Sequence, residues 1–100
     1  MVRPRSELSE ILHEFCDNVY FQPPTGTKIK YPCIIYKIED LDPRYADNRT
    51  YSICNQYSIT YITRDPDDNV KYRIVDLPMC RMTRSYTEDN LYHYAYRLYF

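Results

Sequence analysis

Apolar and polar positions alternate along residues 51–63. Tyr51, Ile53, Tyr57, Ile59 and Tyr61 share one parity, with Asn55 as its exception. Ser52, Cys54, Gln56, Ser58 and Thr60 share the other, with Ile62 as its exception. Side chains of a strand point to opposite faces in turn, so the spacing predicts a long strand with one packed and one wet face. It is about twice the usual strand length of five or six residues, which makes it the spine of a small antiparallel sheet. Tyr31–Ile38 predicts a second strand, with Pro32 at its start, where a missing N–H is tolerated. It is expected beside the spine and antiparallel to it. Val19–Phe21 predicts a short extended piece, Cys80–Tyr86 a further strand, Thr87–Asn90 a turn, and Leu91–Phe100 a closing strand. In the last, Tyr92, Tyr94, Tyr96 and Leu98 fall on one side; His93, Ala95, Arg97 and Tyr99 fall on the other.

A period of 3.6 residues opens the chain instead. Leu8, Ile11, Leu12 and Phe15 form one stripe, opposed by Glu7, Glu10, His13, Glu14 and Asp17. Pro4 and Ser6 signal the helix start and Asn18 its stop. Residues 69–77 fit two periods. Val70, Ile74 and Leu77 share a helical face, whereas Val70, Tyr72 and Ile74 also alternate as in a strand. A short helix is the favoured reading, because Asp65, Asp67 and Asp68 supply acceptors and negative charge at its N-terminus and Pro78 stops it. Breaks are expected at Gln22–Gly26, where Gly26 takes a positive φ, at the polar loop 40–48, and at Arg64–Asn69. The predicted order is α-β-β-β-α-β-β. The expected fold class is α+β: a single antiparallel sheet of four to five strands with two helices on one face, in one domain spanning residues 1–100.

Composition sharpens this picture at two points. Thirteen of 100 residues are tyrosine, a large ring whose hydroxyl needs a partner when buried. Half-buried positions of a small sheet and faces between subunits both suit it. The formal net charge is −1, with charges spread along the chain. That balance argues against sequence-independent binding to a phosphate backbone, which needs a concentrated basic surface. Cys16, Cys33, Cys54 and Cys80 contain no C-x-x-C pair, so a zinc knuckle is not expected. The polar N-terminus carries no secretory signature, no apolar run reaches the length of a membrane span, and buried thiols are expected in a protein made in the cytosol.

No pattern assembles a reaction centre. His13 lies on the charged side of the first helix and His93 opposite the tyrosine side of the last strand, so both read as surface or interface residues. Cys33 and Cys54 are candidates to face each other on neighbouring strands. A single glycine excludes a phosphate-cradling loop. The carboxylates of residues 65–68 and 40–42 read as turns, because the glycine and terminal glutamate of a calcium loop are missing. Catalytic, cofactor and metal sites are therefore not expected. What remains as functional surface is the loops, a sheet edge with unpaired backbone groups, and an open sheet face.

Several segments together resemble a known family. They are the Leu-x-x-Ile-Leu-x-x-Phe-Cys helix (8–16), Asn-Val-Tyr-Phe-Gln-Pro-Pro (18–24), Tyr-Pro-Cys-Ile-Ile-Tyr (31–36) and Tyr-Ala-Asp-Asn (45–48). Tyr-Ser-Ile-Thr-Tyr-Ile-Thr-Arg-Asp-Pro-Asp (57–67), Leu-Pro-Met-Cys (77–80) and Asp-Asn-Leu-Tyr-His (89–93) complete the set. The chain resembles the tail completion, or tail terminator, proteins of tailed bacteriophages. The resemblance implies a virion structural protein, assembled in the host cytoplasm, with no enzymatic activity. It implies a hexameric ring on the head-proximal end of the tail tube that stops tube growth and offers a docking surface to the head connector. The implied partners are further copies of the chain, the tail tube protein and connector or stopper proteins, with no membrane and no specific nucleic acid, although DNA passes through the ring. Two stretches are candidates for interface contacts: the loop with Asp42, Arg44, Tyr45, Asp47 and Arg49, and the turn with Arg64, Asp67 and Asp68. Another neck component, an adaptor or stopper, is the nearest alternative. A small aromatic-sheet nucleic-acid-binding module is the more remote one.

Overall fold

The structure, a computed structural model, describes residues 4–41 and 55–100. Among them are α1 (Arg5–Phe15), β1 (Val19–Phe21), β2 (Cys33–Leu41), β3 (Asn55–Thr63), α2 (Val70–Val75), β4 (Cys80–Glu88) and β5 (Leu91–Tyr99). The class is α+β and the order is the expected one. The five strands form one sheet in the order β1-β2-β3-β5-β4. The pairs β2–β3, β3–β5 and β4–β5 are antiparallel. The sheet is mixed, however, because β1 runs parallel to β2. A parallel pair needs a crossover rather than a tight turn, and the proline-broken segment 22–32 provides it. That segment returns over one face of the sheet: the Lys30 N–H donates to the Tyr20 hydroxyl at 3.2 Å.

The spine is β3, flanked on both sides. Tyr57, Ile59 and Tyr61 point to the helices, as their parity requires, and each is essentially buried. Cross-strand partners put Ile34 and Tyr36 of β2, and Leu98, Tyr96 and Tyr94 of β5, on the same face. Leu8 and Leu12 of α1 and Ile74 of α2 close this core, with Ile11 and Phe15 partly buried at its margin. Residues 51–54 of the expected spine lie outside the described residues. The predicted pairing of Cys33 with Cys54 does not follow from the register, since Cys33 faces Ile62 across the strand. Cys54 itself lies outside the described residues.

Four buried tyrosines replace aliphatic core, and each hydroxyl has a partner. Tyr61 donates to Asp68 Oδ2 at 2.8 Å, Tyr96 donates to the Lys71 carbonyl at 2.9 Å, and Tyr36 accepts from Arg5 at 3.2 Å. Tyr57 is hydrogen-bonded to the Asn55 side chain. The ambiguous segment 69–77 is helical. The Asp68 carboxylate accepts the Val70 N–H at 3.2 Å, satisfying one of the orphan donors of the first turn. At α1 the expected serine cap is absent. Pro4 precedes the helix and its carbonyl accepts the Glu7 N–H, while Ser6 lies within the first turn.

The β4–β5 connection is tighter than expected. Thr87 and Glu88 belong to β4, and only Asp89 and Asn90 form the turn, at φ of 55° and 63°. Positive φ at both central residues matches the twist of a two-residue hairpin.

Candidate functional site

The turn 64–69 links β3 to α2 and is held mainly by Asp68. Its Oδ2 accepts from the Tyr61 and Thr63 hydroxyls at 2.8 and 3.0 Å, and its Oδ1 accepts from the Val70 N–H. Asp65 Oδ1 accepts the Asp67 N–H at 2.9 Å. Lys71, almost buried, donates to the Pro66 carbonyl, and its ammonium lies 5.2 Å from the centre of the Tyr94 ring. Of the three candidate contact residues in this turn, Arg64 and Asp67 are exposed, whereas the Asp68 carboxylate turns inward and fastens the second helix to the sheet. The Arg64 guanidinium lies 5.7 Å from the centre of the Tyr31 ring.

Two open clefts adjoin this turn. One, of about 370 Å³, is lined by Tyr31, Pro32, Tyr61, Thr63, Arg64 and Asp68, among others. The other, of about 270 Å³, runs past His13, Cys16, Asn18 and Pro32. The one thiol here, Cys16, is pushed up from its ordinary pKa chiefly by burial and donates to the Pro32 carbonyl at 3.3 Å. Burial pushes Cys33 up to about 12 and Cys80 up to about 11. All three stay protonated at neutral pH, which leaves them poor nucleophiles and poor ligands. His13 Nδ1 lies 2.8 Å from the Ser9 carbonyl of its own helix. No group of three or more metal-ligating side chains occurs among the described residues.

The second surface is the sheet face turned away from the helices. Parity and register place Ile35 and Lys37, then Ser58 and Thr60, then His93, Ala95, Arg97 and Tyr99 on it. The edge strand β4 is exposed from Arg81 to its end. A register shift between Met82 and Arg84 marks a bulge, and the Thr83 hydroxyl donates to the Ala95 carbonyl at 3.2 Å. The shift puts both Arg81 and Arg84 on this face, Arg81 opposite Arg97 and Arg84 opposite Ala95. Tyr86 stacks on His93 with centroids 4.6 Å apart and planes 7° apart, and the Arg84 guanidinium lies 4.5 Å from the Tyr86 centre.

The evenly spread charge of the sequence thus becomes partly segregated in space. Arg81, Arg84 and Arg97 meet on the sheet face, with Lys37 there paired to Glu39 at 3.9 Å and Glu88 at the hairpin end, while Glu10 and Glu14 lie exposed on α1 and Asp17 just past its end. The arginines of this face were not among the candidate contacts; parity placed Arg97 on it, but parity alone could not bring Arg81 and Arg84 there together. Without the bulge, Arg81 would point to the helix side. Asp42, Arg44, Tyr45, Asp47 and Arg49 lie outside the described residues. Among the described residues, no helix is long and apolar enough to cross a membrane. Comparison of the chain with protein-family models, with curated proteins and with solved structures found no match.

Proposed function

We propose that this chain is a structural ring subunit that caps the head-proximal end of a bacteriophage tail tube and presents a docking surface to the head connector. The family resemblance of its turn and strand segments motivates the reading. The observation that carries it is the one-sided helix layer. Both described helices cover the same face of the sheet. The other face is closed at its β1–β2 end, where segment 22–32 returns over Tyr20 and Cys33 and Ile62 are buried, and it opens toward β5 and the exposed nine-residue edge strand β4. A capping ring needs this kind of subunit, with distinct surfaces for its neighbours and for the structures above and below. A nine-residue exposed edge is a liability in an isolated monomer and a resource in an assembly. The chemistry agrees in kind: the Asp68 carboxylate and the four core tyrosine hydroxyls are committed to structural hydrogen bonds.

Imaging of whole particles tests this directly. Density for the chain at the junction of tail tube and head connector is the expected result, and deletion of its gene should leave full heads beside overlong or unjoined tails. Normal tails joined to heads in the deletion would remove the reading. Contacts to the portal side alone would make the chain an adaptor instead.

A further inference from the structure

The open β4–β5 part of this sheet face carries an arrangement that is unfavourable in a free monomer. Arg81 and Arg97 stand directly opposite each other on paired strands, and Arg84 follows on the same face. Lys37 lies in the same row across the sheet through Ser58, but its ammonium is already paired with Glu39 at 3.9 Å, so the unrelieved charge is that of the arginines. Like charges directly opposed across a strand pair destabilise it. Arg81 and Arg97 make no ion pair and no side-chain hydrogen bond among the described residues. An anionic partner seated on the face would relieve this repulsion, and guanidinium groups favour carboxylates and phosphates because they bind them through two parallel hydrogen bonds.

The same chain carries the complementary surface. Leu8 and Leu12 turn α1 so that Glu10 and Glu14 face outward, and both are exposed, as is Asp17 just past the helix end. Glu10 and Glu14, four residues apart, stand together on one side of the helix, and Asp17 follows just past the extended C-cap Cys16. None of them has an ion-pair partner among the described residues. Glu10 and Glu14 lie about 5–6 Å apart, close to the separation of directly opposed residues on paired strands such as Arg81 and Arg97, about 4.5–5.5 Å. Acidic pair and basic face lie on opposite sides of the molecule, too far round to meet within one subunit.

We propose that the arginine face of one copy, centred on Arg81, Arg84 and Arg97, docks the Glu10–Glu14 pair of a second copy's α1, with Asp17 beyond the helix end. The two surfaces differ, so the contact is heterologous and repeats from copy to copy, closing into a ring or continuing as a chain. It supplies the side contact that the capping ring requires and rests on that reading for its biological setting. Nucleic acid is the other anion that suits guanidinium groups, and the structure favours it less. Tyr86, the exposed ring beside Arg84, is already stacked on His93, so this aromatic platform is occupied. Nor does a chain of net charge −1 attract a polyanion at long range.

Sedimentation of the full chain across concentration, at low and at high salt, tests the contact. Wild type should self-associate at low salt and dissociate as salt screens the charges. R81E/R97E and E10K/E14K should each weaken association by roughly tenfold or more. An equimolar mixture of the two variants should regain it, because each then offers the other a complementary surface. Unchanged thermal midpoints establish that the variants fold, and the salt dependence of wild type reads the contact without any substitution. The proposal fails if wild type stays monomeric at low salt, if association survives both pairs of reversals, or if the mixture does not recover. It also fails if wild type binds an oligothymidylate through Arg81 and Arg97 without self-associating. A monomer found at the tube end would remove this contact and leave the capping role standing. Salt-sensitive association of a chain absent from the tube end would do the reverse.

Discussion

At the scale of single residues, tyrosine and aspartate do work that aliphatic side chains do in larger cores. Tyr36, Tyr57, Tyr61 and Tyr96 are each about 1% exposed, so their hydroxyls must be satisfied within the protein. Asp68 is the acceptor on which most depends, since two hydroxyls and one backbone N–H converge on it. Removing it leaves partly buried donors unpaired, each costing about 1–3 kcal/mol. Asp68→Ala should therefore destabilise the fold by about 2–3 kcal/mol in urea unfolding, in the range of that penalty. Tyr72→Ala, which trims a ring 62% exposed, should stay within about 0.5 kcal/mol of wild type. Equal effects of the two would mean that Asp68 is not the anchor of the second helix. Tyr96→Phe isolates one bond, the donation to the Lys71 carbonyl, and should cost about 1 kcal/mol with little change in packing.

At the scale of elements, α1 is the principal lid of the core and the β4–β5 hairpin is its most exposed pair of strands. Leu12 is fully buried between α1 and the sheet, so Leu12→Ala should cost about 2–5 kcal/mol, a large share of the reserve of a small domain. A midpoint that barely moves would contradict the packing of α1. The hairpin turns on Asp89 and Asn90, both at positive φ. Left-handed backbone costs an ordinary residue roughly 1–2 kcal/mol. Asn90→Val should pay that strain, whereas Asn90→Gly should be neutral or slightly stabilising in the same thermal scan. Much at this level was legible in the sequence. Period 2 identified the core face of β3 through Tyr57, Ile59 and Tyr61, and period 3.6 identified Leu8 and Leu12. The Asp65–Asp68 cluster correctly favoured helix over strand for residues 70–75. Two features were not legible, for one physical reason. The parallel pairing of β1 and the bulge at Thr83 are matters of register between strands, which alternation within one strand does not encode. An unbulged hairpin closing at Asp89–Asn90 would pair Arg81 with Leu98 and turn it to the helix side. One extra residue turns Arg81 outward and assembles the arginine face.

At the scale of the whole molecule, the buried thiols and phenols tie stability to pH. Cys33 and Cys80 are held protonated by burial, with values pushed up to about 12 and about 11 from an ordinary 9.0. Burial raises Tyr61 and Tyr96 as well, and the hydrogen bond to Asp68 adds to the effect at Tyr61. In each case the neutral form is the one the core accepts. The unfolded chain loses these protons first as pH rises, so it binds fewer of them than the folded chain, and stability falls with pH there. The contribution is complete below about pH 9, the unfolded thiol value, and is lost as pH climbs through the folded values. The thermal midpoint should therefore be flat from neutral pH to about pH 9 and decline from there to pH 11. Cys80→Ala lowers the midpoint at every pH through lost packing, but it should make the alkaline decline shallower, because one of the titrating groups is gone. A wild-type midpoint that holds steady to pH 11, or an unchanged slope in the Cys80→Ala protein, would show that this thiol is in contact with solvent. That outcome would also open the end of the core where Cys80 and Leu98 meet across β4 and β5, beside the arginine face on which the ring contact depends.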